Sequence, residues 1–421
     1  MGLGRFAAPA HHQFAMFFLG GPALEASWSH STLKLGRAVC FAPVSLPMTN
    51  DFPTQFPNAH AVVMQGIERG LHTGCQVYVS QYGRVLADDA VGNSHPAVAM
   101  TTTTINLWLS AGKPLTAVAL LQQWERGELK LDDRVARFIP EFASGGKLDI
   151  TLRHLLTHTG GFRNVETGWP DLPWGETIAR ICAAPLEDNW VIGRSAGYHT
   201  STSWFILGEV LQRITGLAFA ELLRDELLLP LGMHDTWVVL PFEQHDAYGD
   251  RIGRLFTREQ GELRMLDWHE AARCATASPG SNTRGPIREL GLFYEMLLRD
   301  GDGLNGRILS PQTVAAMTAR HRVGEYDQTL GHVVDFGLGV IVDSNRYGLE
   351  TVPYGYGRHC SARTFGHGGA QSSQGWCDPA AGLVVTYYFN GRAGEGQHHR
   401  RARAFNEAIW SDLAQADLIR L

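Results

Sequence analysis

Residues 110–127 read SAGKPLTAVALLQQWERG. Leu115, Val118, Ala119, Leu120, Leu121 and Trp124 give an apolar helical run, and Gly127 ends it. Pro114 falls where a first helical turn tolerates it. On a helix, positions i and i+3 share a face, so Lys113 can bring its nitrogen to the Ser110 hydroxyl. Ser110 then lies at the positive end of the helix dipole, which favours an alkoxide or oxyanion. A serine beside its own base is the apparatus of nucleophilic acyl transfer.

Two other Ser-x-x-Lys pairs compete. Ser31/Lys34 lies in an N-terminal stretch without clear periodicity, and Ser144-Gly-Gly-Lys147 reads as a turn. Gly193-Arg-Ser195-Ala-Gly197 matches the nucleophile-elbow pattern of α/β-hydrolases. In that fold the oxyanion glycines precede the nucleophile, whereas here His367-Gly368-Gly369 comes far downstream, and too few strands precede Gly193 for a doubly wound sheet. Ser195 is therefore read as part of a Gly/Ser turn.

Strand patterns lie early and late. Gln76–Asp88 reads as a hairpin around Tyr82-Gly83, and Phe336–Val342, Arg363–Gly366, Gly375–Asp378 and Leu383–Phe389 as strands. Helices are expected at Trp204–Ile214, Ala218–Leu229, Ile287–Arg299 and Phe405–Leu418. The simplest arrangement is an α+β fold with one sheet built from both chain ends, flanked by helices, and a mostly helical insertion. The expected divisions are an extension over 1–55, a sheet subdomain over about 56–150 and 290–421, and a helical subdomain over about 151–289.

With 36 basic and 42 acidic residues the net charge is −6, which gives no reason to expect the basic face that nucleic acid needs. No apolar run reaches a membrane span. Phe14–Gly21 is too short and poorly flanked for a signal peptide, so a cytoplasmic location is expected. The six cysteines form no CxxC pair and read as free thiols. The 18 histidines form no HExxH or comparable spacing, so neither a metal nor a cofactor is expected.

Taken together, the motifs resemble the serine β-lactamases and penicillin-binding proteins, and within them the class C-like branch of esterases, transacylases and D-amino-acid peptidases. Ser110-Ala-Gly-Lys113 resembles that family's first motif, and Leu152–Gly161 (LRHLLTHTGG) a turn segment typical of it. Gly127–Val135, Pro140-Glu-Phe, Pro230–Thr236 and Leu309-Ser-Pro are further matches. Tyr198-His199-Thr200 stands where the family carries Tyr-x-Asn, and His367-Gly368-Gly369 where it carries Lys-Thr-Gly. The resemblance runs from about residue 60 to 415 and implies a central antiparallel sheet of the β-lactamase/transpeptidase type.

It also implies roles. Ser110 is the nucleophile, Lys113 the general base and Tyr198 the proton relay, with the N–H groups of Ser110 and Ala370 as the oxyanion hole. His367, Gly368, Gly369 and Thr200 become substrate-binding positions. Thr200 in place of Asn and His367 in place of Lys weaken the case for β-lactam turnover, because a neutral imidazole and a glycine offer little to a substrate carboxylate. The expected partner is a small ester or amide. A β-lactamase or DD-peptidase and a non-catalytic scaffold are the alternatives. Trp174, Trp190 and Trp376 are read as core residues that could instead wall an acyl pocket, and His158 as a support for the turn at Gly160-Gly161.

Overall fold

The computed structural model describes residues 51–420. The expected extension lies outside the described residues except for its last five, where Phe52–Gln55 forms a helical turn with Phe52 buried. Helix α1 (Pro57–Glu68) leads into β1 (Gly74–Gln81), β2 (Arg84–His95) and β3 (Val98–Ala99). Then come α2 (Lys113–Glu125), α3 (Thr202–Thr215) and α4 (Ile287–Leu298). Strands β4 (Ile341–Val342), β5 (Phe365–Gly368), β6 (Ser373–Asp378) and β7 (Leu383–Phe389) follow, and α5 (Glu395–Gln415) ends the chain.

The seven strands form one sheet in the order β4-β5-β6-β7-β1-β2-β3, with every pairing antiparallel. Early and late strands meet at β1 and β7, where Cys75 pairs with Phe389 and Gln81 with Leu383. Both faces are covered, so β1 and β7 are buried along their whole length, their few polar residues Gln76, Ser80, Gln81 and Thr386 included. Val77, Val79, Val385 and Phe389 point into one core with Phe52, Phe405 and Ile409 of the two chain ends. Tyr78, Val384 and Tyr388 point into the other, with α2, α3 and α4. Among the described residues no helix is long and apolar enough to cross a membrane.

Most expected elements are present. Tyr82 (φ 49°) and Gly83 (φ 77°) turn the hairpin in left-handed conformations. Gly216, at φ 72°, closes α3. Two expectations need correction. Phe336–Val342 is a strand only at Ile341–Val342, because the Gly337 N–H turns back to the Val340 carbonyl and Gly339 takes a φ of 79°. The expected helix at Ala218–Leu229 is present over Phe219–Leu228, with its second half, Arg224–Leu228, wound as a π-helix. The last helix begins at Glu395, ten residues before the expected Phe405, since its Arg- and His-rich first half hides buried His398 and Arg401 within a charged pattern. The region between α2 and α4 also holds a hairpin, Phe256–Glu259 with Glu262–Met265, beside Gly391–Arg392.

The two chain ends are clamped by Asp412 of α5. Its carboxylate accepts the Asn58 N–H (3.2 Å) and Nδ2 (2.6 Å) and the Ala59 N–H (3.0 Å) in the first turn of α1. It therefore caps orphan donors and faces the positive end of that helix. Asp412→Ala is expected to lower stability by about 1–2 kcal/mol, the usual cost of a lost N-cap. Urea unfolding monitored by fluorescence measures it, and no change in midpoint would contradict the clamp.

Candidate active site

The segment before Ser110 is fixed from both sides. Asn106–Leu107 pairs with Arg284–Gly285, the Trp108 N–H donates to the Thr283 carbonyl, and its indole donates to the Gly285 carbonyl (2.8 Å). Leu109, buried, takes a φ of 53°, a left-handed conformation that a leucine adopts only under constraint. Residues Leu109–Gly112 then form a 3₁₀ turn that passes directly into α2. Ser110 thus sits one turn ahead of the α-helix rather than inside it. Gly112 permits close packing, since a Cβ there would lie 2.5 Å from Thr283 Oγ1.

Lys113 is fully buried. Its Nζ lies 2.9 Å from Ser110 Oγ, 2.7 Å from the Thr200 carbonyl oxygen and 2.6 Å from that of Gly280. Burial pushes its pKa well below the ordinary lysine value. A neutral amine has two N–H groups, and two carbonyls are there to accept them. Its lone pair is then left facing the Ser110 hydroxyl, which is the geometry of a general base.

Tyr198 packs over this pair, with Lys113 Nζ 5.3 Å from its ring centre. Its hydroxyl is buried without a well-formed hydrogen bond. Burial raises its pKa, and nearby Ser110 opposes that rise. Behind it lies an anchor that no sequence motif signals. The Tyr198 N–H donates to Asp327 Oδ1 (2.9 Å), which also accepts from the N–H groups of Thr329 and Leu330. Asp327 is paired with Arg322 at 2.9 Å, both buried, and Arg322 donates in turn to the Thr157 carbonyl. His158 stacks on Tyr198 at 4.6 Å and accepts the His199 N–H, so it supports the tyrosine segment rather than the Gly160-Gly161 turn.

Strand β5 brings in the far wall. A Cβ on Gly369 would strike the Trp108 carbonyl at 2.1 Å, and one on Gly368 would strike the Tyr354 ring at 2.2 Å. Gly369 thus lets the strand end press against the Ser110 segment, and Gly368 makes room for the Tyr354 ring. Among the described residues the N–H groups of Ser110 and Ala370 have no hydrogen-bond partner, so both remain available to an oxyanion. His367 is buried; its Nδ1 lies 2.8 Å from the Gly368 carbonyl oxygen and its Nε2 has no partner. Burial, and then Lys113, push its pKa down to about 3, so it is neutral. Thr200 lines the site, but its carbonyl rather than its hydroxyl makes the hydrogen bond.

These residues share a cavity of about 500 Å³ lined by Ser110, Tyr198, Thr200, His367, Gly368 and Ala370. Its aromatic walls are Trp169, Trp268, Phe205 and Tyr354. The three tryptophans considered from sequence lie elsewhere: Trp174 packs on Phe205 and Phe219, Trp190 donates to the Thr159 carbonyl, and Trp376 stacks on Trp410. Ser195 Oγ accepts the Val191 N–H in a turn and does not line the cavity. Lys147 donates to the Ser144, Cys182 and Ala184 carbonyls, a structural role, and Ser31/Lys34 lies outside the described residues.

The sequence model of the beta-lactamase family matches residues 61–408. This chain belongs to the beta-lactamase family. Esterase EstB of Burkholderia gladioli is 27% identical over 83% of this chain and 94% of its own length. Penicillin-binding protein 4 of Amycolatopsis lactamdurans is 29% identical over 70% and 74%. A crystal structure of a penicillin-binding protein homolog from Caulobacter crescentus superposes with a TM-score of 0.70 at 25% identity, covering 86% of this chain and 98% of that one. The enzyme class expected from the sequence, a serine hydrolase, holds for this family member.

Asp327→Ala would strip the charge partner from buried Arg322 and release Tyr198. The expected cost is about 3–5 kcal/mol in stability. Any folded fraction should react more slowly at Ser110 with an active-site phosphonate. Denaturant unfolding and labelling kinetics read the two effects separately.

Proposed function

We propose that this chain forms an acyl-enzyme on Ser110 and acts on carboxylic esters, or small amides, that bring no carboxylate into the site. The observation that carries the reading is the buried Lys113, whose nitrogen meets two carbonyls and the Ser110 hydroxyl. In this mechanism the Ser110 proton passes to Lys113 Nζ as Oγ bonds to the acyl carbon. The oxyanion takes hydrogen bonds from the Ser110 and Ala370 N–H groups. Collapse breaks the bond to the alcohol, which takes its proton by way of Tyr198 and Lys113. Water then attacks the acyl-Ser110 ester through the same base, or a second alcohol does so, giving acyl transfer.

Ester preference rests on the third motif. His367 is neutral and Gly368 has no hydroxyl where penicillin-directed relatives carry Lys-Thr, so a β-lactam carboxylate meets neither a charge nor a donor side chain there. EstB, itself an esterase by name, supports the same class.

A fluorophosphonate probe read by intact mass tests the nucleophile. Labelling should survive Ser195→Ala and vanish in Ser110→Ala, with p-nitrophenyl butyrate turnover falling by at least about 10⁴-fold. Label retained in Ser110→Ala would sink the mechanism. A chromogenic cephalosporin should be turned over far more slowly than the ester, and equal rates would restore the β-lactamase reading.

The pH dependence follows from Lys113. The base works only when neutral, so kcat/KM should rise with pH through the lowered Lys113 pKa and reach a plateau below the ordinary lysine range. The same shift makes the unfolded chain hold the extra proton between the lowered value and 10.5. Stability should therefore rise with pH across that window. A kcat/KM limb centred near 10.5 would show that the base does not carry the lowered pKa argued for Lys113.

A further inference from the structure

Glu395 opens α5 and lines the same cavity as Ser110. Its carboxylate lies 3.1 Å from Gln371 Nε2, 3.4 Å from the Tyr354 hydroxyl and 3.3 Å from His399 Nε2. Burial works to raise its pKa, but the hydrogen bonds from His399, Gln371 and Tyr354 outweigh that and leave it below the usual value. It is therefore an anion at neutral pH, placed in the first turn of a helix, where negative charge is favoured. Among the described residues no Lys or Arg side chain lines this cavity. The base Lys113 lies beneath it with a lowered pKa, His367 is neutral, and Arg392, over Trp268, and Arg273, over Trp169 and Trp268, lie outside the lining.

The rest of the wall has matching chemistry. Tyr198, Tyr354, Trp169 and Trp268 present ring surfaces to the same volume. Aromatic faces beside a carboxylate attract a large, weakly hydrated cation and offer nothing to an anion. A substrate carboxylate entering here would meet Glu395, whose one possible counter-charge in the lining is the His399 imidazole 3.3 Å away.

Building on the acyl-enzyme reading, we infer that Glu395 sets the charge of the substrate: the site takes esters that carry an ammonium group and turns away those that carry a carboxylate. The ammonium group sits against Glu395 and the ring faces while the ester carbonyl lies at Ser110. Glu395 is thus a specificity residue. Its carboxylate is half-exposed, so its influence is moderate and sensitive to salt.

The test uses three p-nitrophenyl esters of similar length: butyrate, 4-(trimethylammonio)butyrate and hemisuccinate. kcat/KM is measured at pH 8, where an ordinary imidazole is neutral, and at low ionic strength. The wild-type protein should favour the cationic over the anionic ester by about tenfold, and Glu395→Gln should bring the two within about threefold of each other. Sodium chloride at high concentration should compress the wild-type ratio without any substitution, which guards against a variant with altered packing. A ratio near one in the wild type, or the same ratio in Glu395→Gln, overturns the inference. If none of the three esters is turned over, the hydrolase reading fails instead. Calorimetric binding of benzyltrimethylammonium and 3-phenylpropionate to the same two proteins then decides the charge question. Tighter cation binding that weakens in Glu395→Gln upholds it, and equal binding overturns it.

Discussion

Lys113 Nζ joins three parts of the chain through the Ser110 hydroxyl and the Thr200 and Gly280 carbonyls. Ser110 lies ahead of α2, Thr200 just ahead of α3, and Gly280 in the loop before Arg284–Gly285. An ammonium ion buried here would cost several kcal/mol, because no carboxylate pairs with it. Shedding the proton removes most of that cost and leaves a nucleophile-activating amine. Burial thus makes the helix packing and the chemistry one problem. Any packing that excluded water less well would give a better-solvated lysine and a poorer base.

The walls around that amine are held in unfavourable backbone conformations. Leu109, His158, Tyr354 and Gln371 all have φ between 53° and 60° without being glycine. Leu109 precedes Ser110, His158 underlies Tyr198, Tyr354 packs on Gly368, and Gln371 follows Ala370. Each such residue costs on the order of 1 kcal/mol and persists only where its surroundings dictate it. Gln371 shows how: its carbonyl accepts from buried Arg401 (3.1 Å), and its side chain bridges the Gly394 N–H and Glu395. Strain thus lies next to both Ser110 and Ala370, whose N–H groups have no partner among the described residues.

What could be read from the sequence follows the range of each interaction. Ser110 and Lys113 are three residues apart on one helical approach, so composition and spacing expose them. Strands β1 and β7 carry apolar runs and appear with nearly the expected bounds, whereas β2 runs on to His95, seven residues past the expected Asp88. Tyr198 and the His367-Gly368-Gly369 segment are legible only through resemblance, since nothing local marks them as neighbours of Ser110. Asp327, Arg322 and the Gly280 carbonyl stayed hidden because they act through backbone groups on separate loops. The aromatic wall failed for the opposite reason. Tryptophan is a core residue by default, and only the packed structure separates Trp169 and Trp268 from Trp174, Trp190 and Trp376.

The replacement of lysine by His367 bears on the base as well as on the substrate. A charged side chain at that position would stand close to Lys113 and depress its pKa by repulsion. His367 is itself neutral, its pKa held down by burial and by Lys113. The lowered pKa of Lys113 accordingly comes from burial. Its poise therefore comes from the walls: the Tyr198 and Trp204 rings 5.3 Å away, and Gly280, where a Cβ would lie 3.0 Å from Nζ. A site tuned this way does not need a second cation near the substrate. The charge of the cavity lining then rests with Glu395 and the His399 imidazole paired with it, on a wall separate from the Ser110–Lys113 pair.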